Sequence, residues 1–412
     1  MAQALCVVAA GQAVMELLRE EQAGPAWGLQ GERELEALLE AALTQGARRG
    51  CRRPCHTDSL TGRQFKERFR LDRGTIQCVV EQLHSSELGG GRQKGRPPLS
   101  LRHCVLLCAC LLGGPRSYRA AAAEFGLERG NAHRLFTLTC RRICVLTGQH
   151  ITWATGAEVE RNIQGFDSLD SEGGGGFPGV FGVLGATRIP VRGLSSKGER
   201  ERGGREGEKS GGRSGVAPAL ESWLRVEVVC DFRGRFLYCG VSEGLAAAQR
   251  PGGFWECSDL GHRLREDPGA IPEDAHMLAG GGYPLCGQIL TPFKGPLSPR
   301  QTRFNQRLAV RLAVLGRSLS ELKARFRRLQ YLDTVSLERA RSTILSCCVL
   351  HNLSIQRGDS VPEEWERERE EEEGEEEVEG DGEEAGKRKR EAIADLLYAE
   401  SSTNTLTDSL TD

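Results

Sequence analysis

The sequence predicts a multidomain α+β protein with a helical front half, a strand-rich middle and a charged tail. Three observations carry this. Apolar residues recur near the helical period through most of the first 150 positions, the period shifts towards two from residue 178, and residues 300–355 return to helical spacing. A length of 412 residues fits two domains, or one large domain with flanks, and 39% hydrophobic content can bury a core over part of the chain.

The elements follow in order. Residues 4–45 have helix-like spacing broken at Gly24-Pro25, and ERELEALLEAALTQ (32–45) forms an amphipathic helix. With the basic, Cys-containing loop 46–56, they make an N-terminal unit over 1–60. FKERFRLDRGTIQCVVEQL (65–83) alternates a basic face with an apolar one, GGGRQKGRPP (89–98) is a basic linker, and 99–148 reads as three helices, giving a helical unit over 61–150. The polar stretch 150–177 ends in Gly173–Gly176 and marks a boundary. FPGVFGVLGA (177–186), WLRVEVVCDFRGRFLYCGV (223–241) and YPLCGQILTPF (283–293) are strand-like, with a hairpin turn at Arg233-Gly234. They belong to an α/β unit over 178–355, in which the charged, Gly-rich segment 195–215 is expected to be a disordered insertion. A long helical segment covers 302–330. The tail 357–412 is read as a solvated acidic run, the basic cluster Lys387, Arg388, Lys389 and Arg390 in a flexible segment, and a short helix at EAIADLLYAE.

The net charge of −2 hides segregation. Residues 46–150 carry 19 Lys/Arg against 7 Asp/Glu, whereas 359–386 carry 16 Asp/Glu against 2 Arg. This pattern points to a polyanion partner and to a tail able to compete with it. The 15 Cys are odd in number and irregularly spaced, and many lie in apolar runs, so a reducing compartment is expected. Cys51, Cys55 and His56 have a faint zinc-ligand spacing but no second pair, and a basic loop is the better reading. No apolar run reaches the ~18–20 residues that span a bilayer, so no membrane role is expected.

SYRAAAAEFGLERGNAHRLFTLTCRRI (117–143) fits a helix-turn-helix. Ala122 and Ala132 allow close helix approach, Gly126 permits a left-handed turn, and the second helix begins near Glu128. It presents Arg129, Asn131, His133 and Arg134 near its start, and Arg129, Asn131 and Arg134 are the candidate groove-facing set. Arg68, Arg70, Arg73, Arg92, Lys94 and Arg96 are the candidate phosphate set. Three packed helices with a solvated basic face remain the alternative.

Several ordered blocks then resemble the PIF/Harbinger transposase family of the DDE superfamily. They are FKERFRL (65–71), the helix-turn-helix region 99–143, GVLGATRI (182–189), VVCDFRGRF (228–236), AGGGYPLCGQILTPF (279–293), FNQRLAVRLAVLGRSLSELKARFRRL (304–329) and ILSCCVLHN (344–352). The resemblance covers roughly 60–355 and implies that the α/β unit is an RNase H-like DDE domain. In that family, converging carboxylates hold Mg²⁺ or Mn²⁺ for DNA cleavage. Carried over residue by residue, the acidic positions fall on Gly185, Ala248, Gly280 and Gly316, and the His beside the first falls on Arg188. The resemblance therefore implies a domesticated protein that lost its metal site, with no cofactor expected. Asp231 reads as a structural turn residue.

The leading functional expectation is a catalytically inactive, nuclear DNA-binding or protein-interaction factor. Its partners would be duplex DNA and, as the resemblance implies, a Myb-like nuclear protein. Two alternatives stay open: a divalent-metal-dependent nuclease with a rebuilt site, and an interaction scaffold that makes no DNA contact. The 387–390 cluster suits nuclear import, with the cytoplasm as the other compartment.

Overall fold

The computed structural model describes residues 57–85, 100–169, 176–192, 222–243, 253–334, 336–366 and 382–408. The expected N-terminal helices, the Cys51/Cys55/His56 loop, the linker bearing Arg92, Lys94 and Arg96, the insertion 195–215 and Ala248 lie outside these residues.

The helical front half comprises α1 (Gly62–Phe69), α2 (Arg73–Ser85), α3 (Leu101–Gly113), α4 (Tyr118–Glu124), α5 (Arg129–Val145), the single turn α6 (Thr147–His150) and α7 (Ala157–Asp167). Local chemistry sets the starts. Thr61 and Gln64 form a reciprocal capping box on α1, and Ser100 and Ser117 accept the first N–H groups of α3 and α4. In α3 every residue from Cys104 to Gly113 is buried, as a helix apolar on all sides requires.

The α/β region contributes β1 (Val180–Val191), β2 (Ser222–Cys230), β3 (Phe236–Glu243), α8 (Gly253–Glu256), α9 (Asp259–Glu266), β4 (His276–Ala279), β5 (Ile289–Leu290), α10 (Pro299–Arg325), α11 (Leu337–Gln356), α12 (Glu363–Glu366) and α13 (Glu384–Asp408). The sheet order is β3-β2-β1-β4-β5. Strand β2 runs antiparallel to β1 and β3, while β4 and β5 run parallel to β1 and one another. This mixed sheet is consistent with a DDE, RNase H-like domain. The start of α10 repeats the capping logic of α1, with Ser298 and Gln301 in a capping box and Pro299 in the first turn.

One apolar core runs through both expected units. It joins Phe65 and Phe69 of α1, Leu107 of α3, Leu135 of α5, Val183 of β1, Val228 of β2, Leu319 of α10 and Leu350 of α11. A smaller cluster covers the other sheet face, where Phe181, Val229, Leu237 and Met277 meet Leu260 and Leu264 of α9. No helix among the described residues is long and apolar enough to cross a membrane.

The tail departs from expectation in two places. Asp359 is 3% exposed rather than solvated, because it is the carboxylate partner of buried Arg325. The basic cluster 387–390, expected in a flexible segment, lies within α13. That helix docks because Ile393, Ala394 and Leu397 form an apolar stripe buried in the main core.

Candidate nucleic-acid interface and the ancestral acid positions

The turn between α4 and α5 is built as its sequence suggests. Helix α4 ends with the Gly126 N–H bonded to Ala123 O and the Leu127 N–H to Ala122 O, the paired closure of a Schellman motif. Gly126 supplies the left-handed residue at φ 66°. Ala122 and Ala132 are buried where the two helices meet. Helix α5 then starts at Arg129, with Glu128 as its N-cap. Arg129 and Arg134 are exposed, and Asn131 and His133 are half-buried. The side chains of Arg129, Asn131 and Arg134 make no hydrogen bond or ion pair with any described residue.

The expected phosphate set fares differently. Arg68 pairs with Glu124, which also receives Arg116 at 2.5 Å. Arg70 occupies the left-handed C-cap of α1 (φ 60°) and lies 4.0 Å over the Trp365 ring. Burial and the nearby Arg327 and Arg325 bring its pKa down to about 10. Arg73 donates to Thr57 O and Leu60 O, each at 2.7 Å, and stacks over Phe65 at 4.3 Å. These three side chains are engaged in holding α1 to α2, α4 and α12, and they are not a free row of phosphate ligands. Within the basic cluster, Lys389 donates to the carbonyls of Glu273, Ala275 and Gly287 at 2.9, 2.7 and 3.2 Å. Arg390 donates to those of Thr291 and Pro292 at 3.2 and 3.1 Å. Half of that cluster thus closes the β4–β5 end of the sheet, and Arg388 remains exposed while Lys387 is half-buried.

Of the four positions where the family resemblance implies acids, Gly185 and Gly280 lie side by side, and Gly316 is exposed on α10. Leu184 of β1 pairs in parallel with Ala279 of β4, so Gly185 and Gly280 are the next neighbours along the two strands. A Cβ at Gly185 would meet Leu315 Cδ2 at 2.5 Å, and Gly316 follows Leu315 on α10. Gly280 and Gly316 have open space where a Cβ would project. None of the three offers an oxygen ligand, and Leu315 occupies the space beside the first. Among the described residues no group of three His, Cys, Asp or Glu side chains could hold a metal ion. The residues present do not fit the divalent metals that a DDE reaction uses.

Asp231 has a structural task. It is 2% exposed, and its carboxylate accepts the N–H groups of Arg233 and Arg235 at 2.9 Å and Arg235 Nε at 3.1 Å. These bonds close the β2–β3 turn around Gly234, whose φ is 81°. Burial raises its pKa against the opposing pull of those donors. The Cys347-Cys348-His351-Asn352 group is equally internal. His351 Nε2 lies 3.0 Å from Ser318 Oγ and 3.2 Å from Gly234 O, and burial lowers its pKa to about 3. Asn352 accepts the Phe236 N–H and donates to the carbonyls of Phe236 and His150.

Residues 222–352, from β2 into α11, match the DDE superfamily endonuclease model. The Rattus norvegicus protein named Putative nuclease HARBI1 is 27% identical over 195 residues, covering 45% of this chain and 49% of the relative. The Homo sapiens protein of the same name is 26% identical over 195 residues, with the same coverage. The Arabidopsis thaliana Protein ALP1-like is 21% identical over 311 residues, 73% of each chain. The domain match and the homology to these proteins support a Harbinger-derived protein of the DDE superfamily. The match spans about half the length of the HARBI1 relatives. No solved structure matches the chain. The superfamily match begins at residue 222 and so leaves β1, with Gly185, outside it.

Arg328 and Arg339 line a cavity at the flank of α5 with His133 and Phe136, an approach that no local sequence pattern marks.

Proposed function

We propose that this Harbinger-derived protein is catalytically inactive and acts as a nuclear DNA-binding factor through the start of α5. The observation that carries the first half is glycine at the neighbouring positions 185 and 280, where the resemblance implies acids, with Leu315 packed against Gly185. The HARBI1 relatives are named as nucleases, but the donor set that metal-dependent cleavage requires is missing from these positions. Supercoiled DNA incubated with purified protein and Mn²⁺ should stay unnicked. Nicking that co-purifies with the chain and disappears on an Asp or Glu to Ala change would establish the rebuilt-site alternative instead.

The second half rests on exposed, unpaired Arg129 and Arg134 at the start of a helix set against α4 by a tight turn. Such a helix can lay its first turn against base edges. On a preferred duplex, Arg129→Ala or Asn131→Ala should cost ~1–3 kcal/mol, with little effect on unrelated sequences. Fluorescence anisotropy with selected and scrambled duplexes measures this. Equal losses on both would mean that these residues make only phosphate contacts. Absence of salt-sensitive binding would leave a protein scaffold, with a Myb-like nuclear protein as the partner class to test.

A further inference from the structure

A cavity of about 180 Å³ opens between α5 and the segment joining α10 to α11. It is many times the ~10–15 Å³ that one water position needs. None of the ancestral acid positions lines it. Its walls include Tyr118, His133, Phe136, Arg328, Asp333 and Arg339. Arg328 lies 4.7 Å from the centre of the Tyr118 ring and 5.2 Å from that of Phe136, so two aromatic side chains hold its guanidinium. The Arg339 guanidinium makes no hydrogen bond or ion pair with any described residue. The single acid of the wall, Asp333, faces outward: its side chain is 67% exposed and pairs with Arg192 at 3.6 Å. Burial lowers the His133 pKa first, and the charges of Arg339, Arg328 and Arg129 lower it further, so positive potential gathers at this point. On α5, Arg129, His133 and Thr137 stand four residues apart and share one helix face. That face runs from the exposed start of α5 into the cavity.

We propose that this cavity is a phosphate site. Resting on the duplex-binding reading above, it holds one backbone phosphate of a duplex that lies along the start of α5, with Arg339 as its ligand and Arg328, whose Nη1 also donates to the Arg116 carbonyl at 3.5 Å, bordering it. Planar guanidinium groups suit the paired oxygens of a phosphate. The site would supply the backbone contact that Arg68, Arg70 and Arg73, already engaged internally, do not.

The test uses the full chain and two probes, inorganic phosphate and a random-sequence duplex. Arg339→Gln is the chosen variant because its guanidinium has no partner to lose; Arg341→Gln, on the same helix and exposed, is the control. Phosphate should perturb the His133 ring resonances of the parent and of Arg341→Gln, and this perturbation should vanish in Arg339→Gln. In anisotropy titrations across salt, Arg339→Gln should reduce the slope of log K against log salt by about 1 and weaken binding on all sequences alike. A parent chain whose His133 signals do not respond to phosphate overturns the site. Duplex binding with an unchanged slope in Arg339→Gln overturns the backbone assignment while leaving the duplex-binding reading intact. A phosphate response without any duplex binding removes that reading and shows that the site serves a free phosphate.

Discussion

Replacing Asp359 by Ala should destabilise the protein by about 3–5 kcal/mol, because it leaves a buried arginine without its counter-charge. Asp359 and Arg325 are 3% and 2% exposed. Their side chains meet at 3.1 Å, and Arg325 also donates to the Asp359 carbonyl. The same carboxylate takes Lys66 Nζ at 2.8 Å, the Asp72 N–H at 2.8 Å and the Thr75 hydroxyl at 2.9 Å. One side chain therefore ties α1 and α2 to the end of α10. Burial opposes its charge, but Arg325, the Asp72 N–H and Lys66 outweigh burial and hold the carboxyl below its ordinary range. A depressed folded-state pKa gives stability that is complete above the unfolded value of ~3.9 and is lost as pH falls through the folded one. The gap between parent and Asp359→Asn should accordingly be large at pH 7 and should shrink as the pH drops below about 4. Denaturant unfolding at both pH values measures it. A loss under ~1 kcal/mol at pH 7, or a gap that ignores pH, would show that the cluster is not a tie between these helices.

Restoring the first ancestral acid should harm the protein and give no metal site. In Gly185→Asp the new Cβ would press on Leu315, 2.5 Å away, in the main core. Overpacking of this kind costs ~1–3 kcal/mol, and burying a carboxylate with no partner adds to it. Without acids at Gly280 and Gly316, Mn²⁺ has too few ligands to offset the loss. The melting temperature should fall and should not respond to Mn²⁺. Adding Leu315→Ala should recover part of the loss by opening the space. A Gly185→Asp chain as stable as its parent, or one stabilised by Mn²⁺, would mean that Leu315 does not fill the former ligand position.

Much of this protein was legible in the sequence where the signals are local. The Gly126 turn, the Gly234 hairpin and the switch from helical to alternating spacing each depend on a few neighbouring residues. The β1–β4 register places Gly185 beside Gly280, two of the positions where the family resemblance implies acids. What a side chain touches across the fold had no such signal. Arg68, Arg70 and Arg73 read as a basic row, yet their partners are Glu124, Trp365 and the carbonyls of Thr57 and Leu60. Lys389 and Arg390 read as part of an open basic cluster, yet they cap carbonyls near β4 and β5 about 100 residues upstream. Leu315 opposite Gly185, Asp359 under Arg325, and Arg328 and Arg339 beside α5 were likewise decided by tertiary packing. Propensity, capping and periodicity act within one or two turns of the chain. The charge and space around a side chain are set by whatever segment the core brings against it.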